Sequence, residues 1–267
     1  MVIKERNWCQ KLLNGQEMKI RIIPTILTDG LTVVKGEKFD NWRTVGSAEA
    51  TARLYASRDV DELLFLDVNA RSRNSMIDRT LLAHFSNVLD VPFSVGGGIN
   101  TLDDAKFCFR FGAEKVVLGT AAIKNPKLIT EIADVFGNQA VIVSIDFGND
   151  VSNRIRIESG RVETEIQSLE FVESLADLGA GEILLQSVQR DGTLSGMDFT
   201  RISQVSRLTI LPVIASGGAA SLNDFHEAVL SGASAVAAGA IFQFTQITPK
   251  QVRFYLAEQD VKVRILD

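Results

Sequence analysis

Three aspartates stand where apolar runs end or turns begin. Asp67 follows Leu-Phe-Leu, Asp146 follows Val-Ser-Ile, and Asp191 opens an Asp-Gly-Thr segment. A carboxylate that ends an apolar strand is poorly solvated, and such groups often carry out acid–base chemistry. We therefore treat Asp146 as a candidate for proton transfer. Asp67 fits a supporting or structural role nearly as well, and Asp191 fits equally a turn in which it caps local N–H groups.

Glycine-rich steps follow several other apolar runs. The residues in these steps are Gly96, Gly97, Gly98, Gly119, Thr120, Ser216, Gly217, Gly218, Gly239 and Ala240. Without a Cβ, backbone N–H groups can approach an anion, and a following helix N-terminus adds a favourable dipole. The steps form two related sets, which predicts a ligand with two phosphates, one held by each set. The alternative is that these glycines only allow tight turns.

The histidines and cysteines of the sequence do not form the motifs of a metal site or of a catalytic triad. The histidines are His84 and His226, and neither lies in a zinc or Ser-His-Asp motif. Cys9 and Cys108 match no metal spacing and cannot make a disulfide framework. We expect a free thiol in the N-terminal tail and a buried thiol on a helix. The chemistry therefore falls to carboxylates, lysine or tyrosine, with no metal or cofactor expected.

Predicted strands and helices alternate along the chain, and they would position these residues. Strand-like runs cover residues 21–27, 62–67, 92–95, 115–118, 141–146, 182–187, 212–215 and 235–238. Segments of helical period between them include 102–111, 126–136, 168–178, 221–230 and 249–258. Eight strands in βα alternation predict an α/β fold, the (β/α)8 TIM barrel, whose chemistry lies at the carboxyl ends of the strands. An open doubly wound sheet is the alternative, but its Gly-x-Gly-x-x-Gly turn is missing.

The sequence also repeats itself at an offset of 120 residues. The segment that begins at Pro92 resembles the segment that begins at Pro212. The same offset relates residues 62–64 to 182–184, 112–113 to 232–233, and 119 to 239. We therefore expect a barrel of two similar half-barrels. Residues 21–267 would form this single barrel domain, after an N-terminal extension of residues 1–20.

The composition and net charge of the chain limit the class of protein and the kinds of partner that we expect. The chain of 267 residues is 46% hydrophobic and 23% charged, which is typical of a globular protein and excludes a mostly disordered chain. A formal net charge of −5 provides no basic field for nucleic acid. Apolar runs fall far short of the roughly 20 residues of a membrane span. The polar N-terminus lacks a signal-peptide pattern, so we expect a cytoplasmic protein.

Several segments follow one another along the chain in a specific order: RIIPTIL, VVKG, ELLFLDV, VGGGI, GTAA, KNP, VSID, GAGEILL, RDGT, SG and VIASGGA. In this order they resemble the cyclase subunit of imidazole glycerol phosphate synthase, and the resemblance covers essentially residues 21–264. The resemblance implies a barrel that receives ammonia from a class I glutaminase partner. It implies cleavage of a ribulosyl aminoimidazole carboxamide nucleotide (PRFAR) into imidazole glycerol phosphate and AICAR. It also implies substrate or phosphate contacts by Lys35, by Gly192 and by the glycine-rich steps.

The resemblance implies two catalytic aspartates, and this chain keeps one of them. Asp146 matches the aspartate at the end of strand five. At the end of strand one the family reads Cys-Leu-Asp, whereas this chain reads Thr-Ile-Leu and places Leu27 there. An alkyl chain transfers no proton, and general acid–base help is worth about 10²–10⁴-fold. Asp29 follows two residues later, where we expect it to lie in the loop.

The phosphate steps depart from the family as well. Gly119 stands where the family has Asn, and Ala240 stands where it has Ser. Both changes keep the backbone N–H donors but remove side-chain donors. We therefore expect phosphate or a similar anion, and a different ligand remains an open alternative.

Four charged residues match the family's gate for ammonia at the opposite end of the barrel. They are Arg21, Glu62, Lys115 and Glu182. Buried charges at the mouth of a core are costly unless they are paired, so four charges of mixed sign predict a paired ring. The alternative, solvent-exposed charges at strand starts, suits only one or two of them.

Paralogues of this family associated with surface-polysaccharide gene sets would use the same ammonia relay to amidate a sugar. The chain resembles those paralogues at Leu27 and in residues 237–244. We therefore rank first a glutaminase-coupled subunit that adds ammonia to a phosphorylated or nucleotide-linked sugar. The histidine-pathway cyclase ranks second. A non-catalytic barrel that only docks and activates a glutaminase is the rival from another class.

Overall fold

A computed structural model describes residues 19–58, 60–70, 72–148 and 153–264. The strands of these residues are β1 (Arg21–Asp29), β2 (Thr32–Glu37), β3 (Asp40–Ser47), β4 (Leu63–Asp67), β5 (Phe93–Gly96), β6 (Lys115–Leu118), β7 (Val141–Phe147), β8 (Arg154–Ile157), β9 (Val162–Gln167), β10 (Glu182–Ser187), β11 (Val213–Ser216) and β12 (Ala235–Ala238). Their α-helices are α1 (Ala48–Ala56), α2 (Arg79–Val88), α3 (Leu102–Arg110), α4 (Thr120–Lys124), α5 (Lys127–Phe136), α6 (Ser168–Leu178), α7 (Phe199–Leu208), α8 (Leu222–Leu230), α9 (Ala240–Phe244) and α10 (Pro249–Glu258).

Eight of the strands pair in parallel and close into a barrel. Their spatial order is β1, β4, β5, β6, β7, β10, β11 and β12, and β12 pairs with β1 to complete the circle. Helices follow the barrel strands along the chain. This confirms the (β/α)8 TIM barrel and excludes the open sheet. The predicted bounds of all eight strands agree with the structure to within two residues.

The barrel interior is filled by its own layer of apolar side chains. The layer consists of Ile23, Leu64, Val117, Ile142, Leu184, Ile214, Ala235 and Ala237. A larger core lies between strands and helices, where Phe65 of β4 stacks on Phe85 of α2. Side chains alternate along a strand, so Arg21, Thr25 and Leu27 share the inward face of β1 with Ile23. The interior layer therefore has charged residues on one side and a polar cavity on the other.

The 120-residue repeat is visible in the elements. Helices α3 and α8, strands β6 and β12, and helices α4 and α9 occupy ranges that differ by 120 residues. Both α3 and α8 begin with a capping box, formed by Thr101 with Asp104 and by Ser221 with Asp224. Each box satisfies backbone donors at the start of the helix. The two halves of the barrel are therefore built alike.

Two hairpins extend barrel strands past their carboxyl ends, and the sequence analysis did not predict them. Strand β1 pairs with β2 and β2 with β3, while β7 pairs with β8 and β8 with β9, all antiparallel. Because β1 continues into this hairpin, Asp29 is the last residue of the strand and pairs with Thr32. Our placement of Asp29 in the loop was wrong.

None of the helices in the described ranges has the length and apolar content needed to cross a membrane. Cys108 is a buried thiol on α3, as expected, and burial raises its pKa to about 12. Cys9 lies outside the described residues.

Candidate active site

A cavity opens at the carboxyl ends of the barrel strands, and both hairpins contribute to its wall. The sequence-predicted substrate and phosphate residues all line it: Lys35, Gly97, Gly98, Gly119, Thr120, Gly192, Ser216, Gly217, Gly218, Gly239 and Ala240. The three aspartates Asp67, Asp146 and Asp191 line it as well. The barrel topology brings together in one cavity residues that are far apart in sequence.

Asp146 is held by two neighbours inside the barrel. The Oγ of Ser144 donates to Asp146 Oδ1 at 2.9 Å, and the Nε2 of Gln186 donates to the same oxygen at 3.3 Å. Burial raises the pKa of Asp146 to about 6, although both hydrogen bonds favour the charged form. A carboxyl group with this pKa can exchange a proton near neutral pH.

Lys35 is buried and Asp191 is half-buried on the same side of the cavity. Burial raises the pKa of Asp191 to about 6 and lowers the pKa of Lys35 to about 8, while the attraction between the two charges opposes both shifts. The Nζ of Lys35 donates to the carbonyl of Thr25 at 3.3 Å. The backbone N–H of Lys38 donates to the carbonyl of Asp191 at 2.9 Å, which joins the first hairpin to this loop.

Asp67 is already engaged by an arginine. The Nη2 of Arg73 lies 2.7 Å from Asp67 Oδ2, and the backbone N–H of Asn69 donates to Oδ1 at 3.1 Å. Burial raises the pKa of Asp67 while Arg73 opposes that rise. Because this carboxylate has a fixed partner, the geometry favours a supporting role over proton transfer.

The end of β1 presents an apolar surface to the cavity. Leu27 pairs in register with Leu66 of β4, and both side chains line the cavity. Asp29 instead accepts from Asn69 Nδ2 at 2.8 Å and pairs with Arg73. Asp29 is outside the set of residues that line the cavity. Its side chain is therefore not placed to take over from Leu27.

Two of the glycines are required by the backbone itself. Gly98 has φ +70° and Gly218 has φ +94°, a region that other residues adopt with strain. A Cβ at Gly98 would lie 1.9 Å from the carbonyl oxygen of Ser75, and one at Gly218 would lie 2.3 Å from that of Gly196. The turns therefore require glycine at these two positions, independently of the predicted anion binding.

Gly119 and Gly239 differ from those glycines. They precede the short helices α4 and α9, and neither helix start has a side-chain cap. A Cβ at Gly119 would have its nearest contact at 3.9 Å, with Ser144. A Cβ at Gly239 would lie 2.3 Å from Lys35 Nζ. The absence of a Cβ at Gly239 therefore leaves room for the Lys35 side chain.

The four residues predicted to form a gate make a closed ring of ion pairs at the opposite end of the barrel. Lys115 Nζ lies 2.9 Å from Glu62 Oε2 and 2.7 Å from Glu182 Oε1. Arg21 Nη1 lies 2.8 Å from Glu62 Oε2, and Arg21 also pairs with Glu182. Although burial opposes it, Arg21 and Lys115 hold the pKa of Glu182 below its ordinary value. Each member of this charged ring thus contacts two opposite charges.

Four residues of the site were not predicted from the sequence. Ser144 and Gln186 contact Asp146, and the hairpin residues Phe39 and Trp42 lie in the cavity wall. Alternation along β10 carries a signal for Gln186, since Glu182, Leu184 and Gln186 share one face. The hairpin residues gave no comparable signal. Among the described residues, no group of three or more His, Cys, Asp or Glu is arranged to hold a metal ion.

A (β/α)8 barrel with this cavity belongs to the class of barrel enzymes that work at the carboxyl ends of their strands. Residues 21–248 match the family model described as "Histidine biosynthesis protein". The chain is similar to the "Imidazole glycerol phosphate synthase subunit HisF" of Chlorobium limicola, with 40% identity over 249 residues, 92% of this chain and 98% of that protein. The proteins of the same name from Thermotoga sp. strain RQ2 and Thermobifida fusca are 41% and 39% identical. They match 92% of this chain, and 97% and 99% of their own lengths, respectively. The chain belongs to the HisF family, and it is an enzyme subunit of the imidazole glycerol phosphate synthase type.

Proposed function

We propose that this chain is the ammonia-accepting barrel subunit of a glutamine-dependent synthase, with a class I glutaminase docked at the charged ring. The observation that carries this proposal is the arrangement of one barrel, with the charged ring at one end and the Asp146 cavity at the other. The relatives are named as subunits of a synthase, which supports a partner subunit. Lys115 is the gate residue with the most compact charge, tied to both glutamates.

The barrel interior offers a route between the two ends. Ammonia is small and uncharged, so an apolar layer does not require it to lose a hydration shell of the kind that an ion carries. Ala235 and Ala237 contribute small side chains to that layer. We place the ammonia path through the interior layer, from the charged ring to the cavity.

In the cavity, Asp146 acts first as a general base and then as a general acid. Ammonia attacks an activated carbon of the substrate, and the new C–N bond forms as the nitrogen becomes positively charged. Asp146, ionised above a pKa of about 6, accepts a proton from that nitrogen. The bond between the carbon and the leaving group then breaks, the leaving group keeps the electron pair, and Asp146 returns the proton to it. The N–H groups of the glycine-rich steps hold the phosphates, and Lys35 adds a positive charge.

The family match favours PRFAR as the substrate over the sugar that we ranked first from the residues. Residues 21–248 match a model described by histidine biosynthesis, and the relatives carry the synthase name. The cavity also holds the two glycine-rich steps that a ligand with two phosphates requires. The first candidate reaction is therefore cleavage of PRFAR with ammonia into imidazole glycerol phosphate and AICAR.

Amidation of a phosphorylated or nucleotide-linked sugar is the second candidate, and specific residues favour it. Leu27 removes a proton-transfer group from the end of β1. Gly119 and Ala240 provide no side-chain donor to a phosphate. A single aspartate suffices when ammonia adds to one activated carbon and one leaving group departs.

Incubating the purified chain with PRFAR and an ammonium salt, and measuring AICAR, tests the first candidate. Asp146→Asn serves as the matched control, because it keeps the side-chain shape and removes the base. AICAR release by the wild type that Asp146→Asn abolishes supports the histidine-pathway reaction. Absence of AICAR, with ammonia-dependent amidation of a nucleotide-linked sugar, supports the second candidate. A chain that activates glutaminase and makes no product, with or without Asp146→Asn, would be a docking barrel only.

A further inference from the structure

We propose that Gln186 is a positioning residue for Asp146, which fixes one carboxylate oxygen so that the other is presented to the substrate. The role of Asp146 in turnover rests on the proposed function, whereas the positioning itself does not. Gln186 lies on β10 and Asp146 on β7, and the two residues are paired in register between these parallel strands. Neighbouring strands therefore hold the two side chains at the same height in the barrel.

Three polar side chains form a closed triangle at this height. Ser144 Oγ donates to Asp146 Oδ1 at 2.9 Å, and Gln186 Nε2 lies 3.2 Å from Ser144 Oγ and 3.3 Å from Asp146 Oδ1. Gln186 is 8% exposed and Ser144 is 6% exposed. Because these groups are removed from water, each needs its partners within the protein.

The chemistry of the triangle fixes the orientation of the amide. An ionised carboxylate only accepts hydrogen bonds, and a serine hydroxyl that donates its proton to Asp146 can then only accept. Both neighbours of Gln186 therefore require a donor, and its NH₂ group has two N–H bonds to offer. A threonine or leucine on β10 would provide no second donor to this pair.

Two donors thus meet Oδ1 of Asp146, and within the described residues no hydrogen bond reaches Oδ2. The other charged residues that line the cavity are Lys35 on β2, Asp67 on β4, Glu158 after β8 and Asp191 after β10. Arg156 of β8 pairs with Asp146 through the backbone, while its side chain donates to the carbonyl of Gly160. In a cavity that has Leu27 at the end of β1, a fixed orientation of the Asp146 carboxylate directs the proton transfer that this residue carries out.

Two variants of Gln186 test this role, with a neighbour on the same strand as control. Gln186→Met keeps the length of the side chain and removes the donor, and Gln186→Glu replaces the donor with a second carboxylate. Ser187→Ala changes the next residue of β10, whose buried Oγ has no hydrogen-bond partner. The carboxyl ¹³C resonance of Asp146, assigned with Asp146→Asn, reports the pKa of Asp146 without any substrate.

We expect the pKa of Asp146 to rise by about one unit in Gln186→Met, since the charged form loses a donor. It should rise further in Gln186→Glu, where a like charge is added, and stay unchanged in Ser187→Ala. In the ammonia-dependent assay, the acid limb of the pH–rate profile should move up with it, and kcat should fall more than KM changes.

An Asp146 resonance that titrates identically in the wild type and in Gln186→Met would overturn the proposal, because the amide would then not touch the reactive carboxylate. A wild type without ammonia-dependent product would count against the proposed function alone, since the titration is measured on the free chain. The two failures are therefore separable.

Discussion

Leu27 changes the proton transfers that the cavity can carry out. Leu27 is in register with Leu66 of β4, and the two residues give the β1 side of the cavity an apolar wall. The nearby carboxylates do not compensate, because Asp29 and Asp67 both pair with Arg73. Asp191 lies in the loop after β10 and interacts electrostatically with Lys35. Asp146 is thus the carboxylate at a barrel-strand end on which a reaction with two proton transfers would have to depend.

Leu27→Asp should therefore raise ammonia-dependent cleavage of PRFAR. A second acid–base group is worth about 10²–10⁴-fold, equivalent to roughly 3–5 kcal/mol in the barrier. AICAR formation at saturating ammonium measures the gain, and Leu66→Asp, on the neighbouring strand, controls for a carboxylate that is merely nearby. A wild type that already cleaves PRFAR at an ordinary enzymatic rate would show that the β1 acid is unnecessary, and the histidine-pathway assignment would then stand without it.

Asp146→Asn should stabilise the folded chain at neutral pH. The folded-state pKa of Asp146 is about 6, above the ordinary value near 3.8, so the native state binds more protons than the unfolded state between these values. The free energy of unfolding therefore falls as pH rises through this window, and above pH 6 the ionised carboxyl costs up to about 3 kcal/mol. We expect Asn to recover about 1–3 kcal/mol at pH 8 and little at pH 4, measured by urea unfolding. Equal effects at both pH values, or an equal gain from the exposed Asp134→Asn, would contradict this origin.

At the scale of the elements, the turns after β5 and β11 leave no room for a Cβ at Gly98 and Gly218, whereas the turn after β6 has room for one at Gly119. Gly98→Ala should destabilise the chain by several kcal/mol, because a Cβ would meet the Ser75 carbonyl at 1.9 Å and φ is +70°. Gly119→Ala should cost less than about 1 kcal/mol, since its Cβ contacts only Ser144 at 3.9 Å. Thermal unfolding of the two variants gives the comparison. Similar losses of stability in both would mean that the turns are equally constrained.

The glycine-rich steps predict two anion sites. One lies at Gly97 and Gly98 with Gly119 and Thr120, and the other at Gly217 and Gly218 with Gly239 and Ala240. Crystals soaked in phosphate should show one anion at each set, held by backbone N–H groups. Gly239→Ala should weaken binding at the second set, because its Cβ would displace Lys35 Nζ. Density at neither set would remove the two-phosphate interpretation and leave these glycines as turn formers.

The sequence was informative where an element has a strong periodic pattern. All eight barrel strands are buried apolar runs bounded by turns, and the repeat placed Gly97 and Gly217 at equivalent positions. The hairpins were missed because β3 and β9 are largely exposed and polar, so they lack an apolar pattern. Strands of this kind are stabilised by pairing with a neighbour, which local sequence does not reveal.

The site could be predicted only in part, for a similar reason. Aspartates and glycines that end apolar runs can be recognised in the sequence. The cavity gathers Asp67, Asp146 and Asp191 and all glycines of the glycine-rich steps except Gly96. The hydrogen bond from Gln186 to Asp146 depends on the register of β7 with β10, which residue types alone do not give. The Arg73 pair that neutralises Asp67 likewise depends on how a loop folds back. The division into residues 1–20 and 21–267 stays a prediction, since residues 1–18 lie outside the described ranges.

At the scale of the whole molecule, the charged ring closes one end of the barrel with groups that are expensive to bury alone. Glu62 is 4% exposed and Glu182 is 8% exposed, and each contacts both Arg21 and Lys115. Removing one member of a buried ion pair costs about 3–5 kcal/mol, because the partner's charge stays buried. Because breaking one pair is this costly, the closed ring is the stable arrangement of the chain alone. Under the proposed function, the glutaminase would have to rearrange the ring to open the mouth of the interior layer.

Lys115→Ala tests whether the ring controls the passage of ammonia between two active sites. With the lysine gone, Glu62 and Glu182 keep only Arg21, and the mouth of the barrel stays partly open. In the complex with its glutaminase, we expect glutamine hydrolysis to continue while product formed per glutamine falls, because ammonia escapes to solvent. Product formed from added ammonium should persist, which shows that the cavity is intact. Lys106→Ala, which breaks a surface pair with Asp103, should leave both rates coupled. If Lys115→Ala keeps one product per glutamine, or if the chain never binds or activates a glutaminase, the charged ring is a structural closure of the barrel and not a gate.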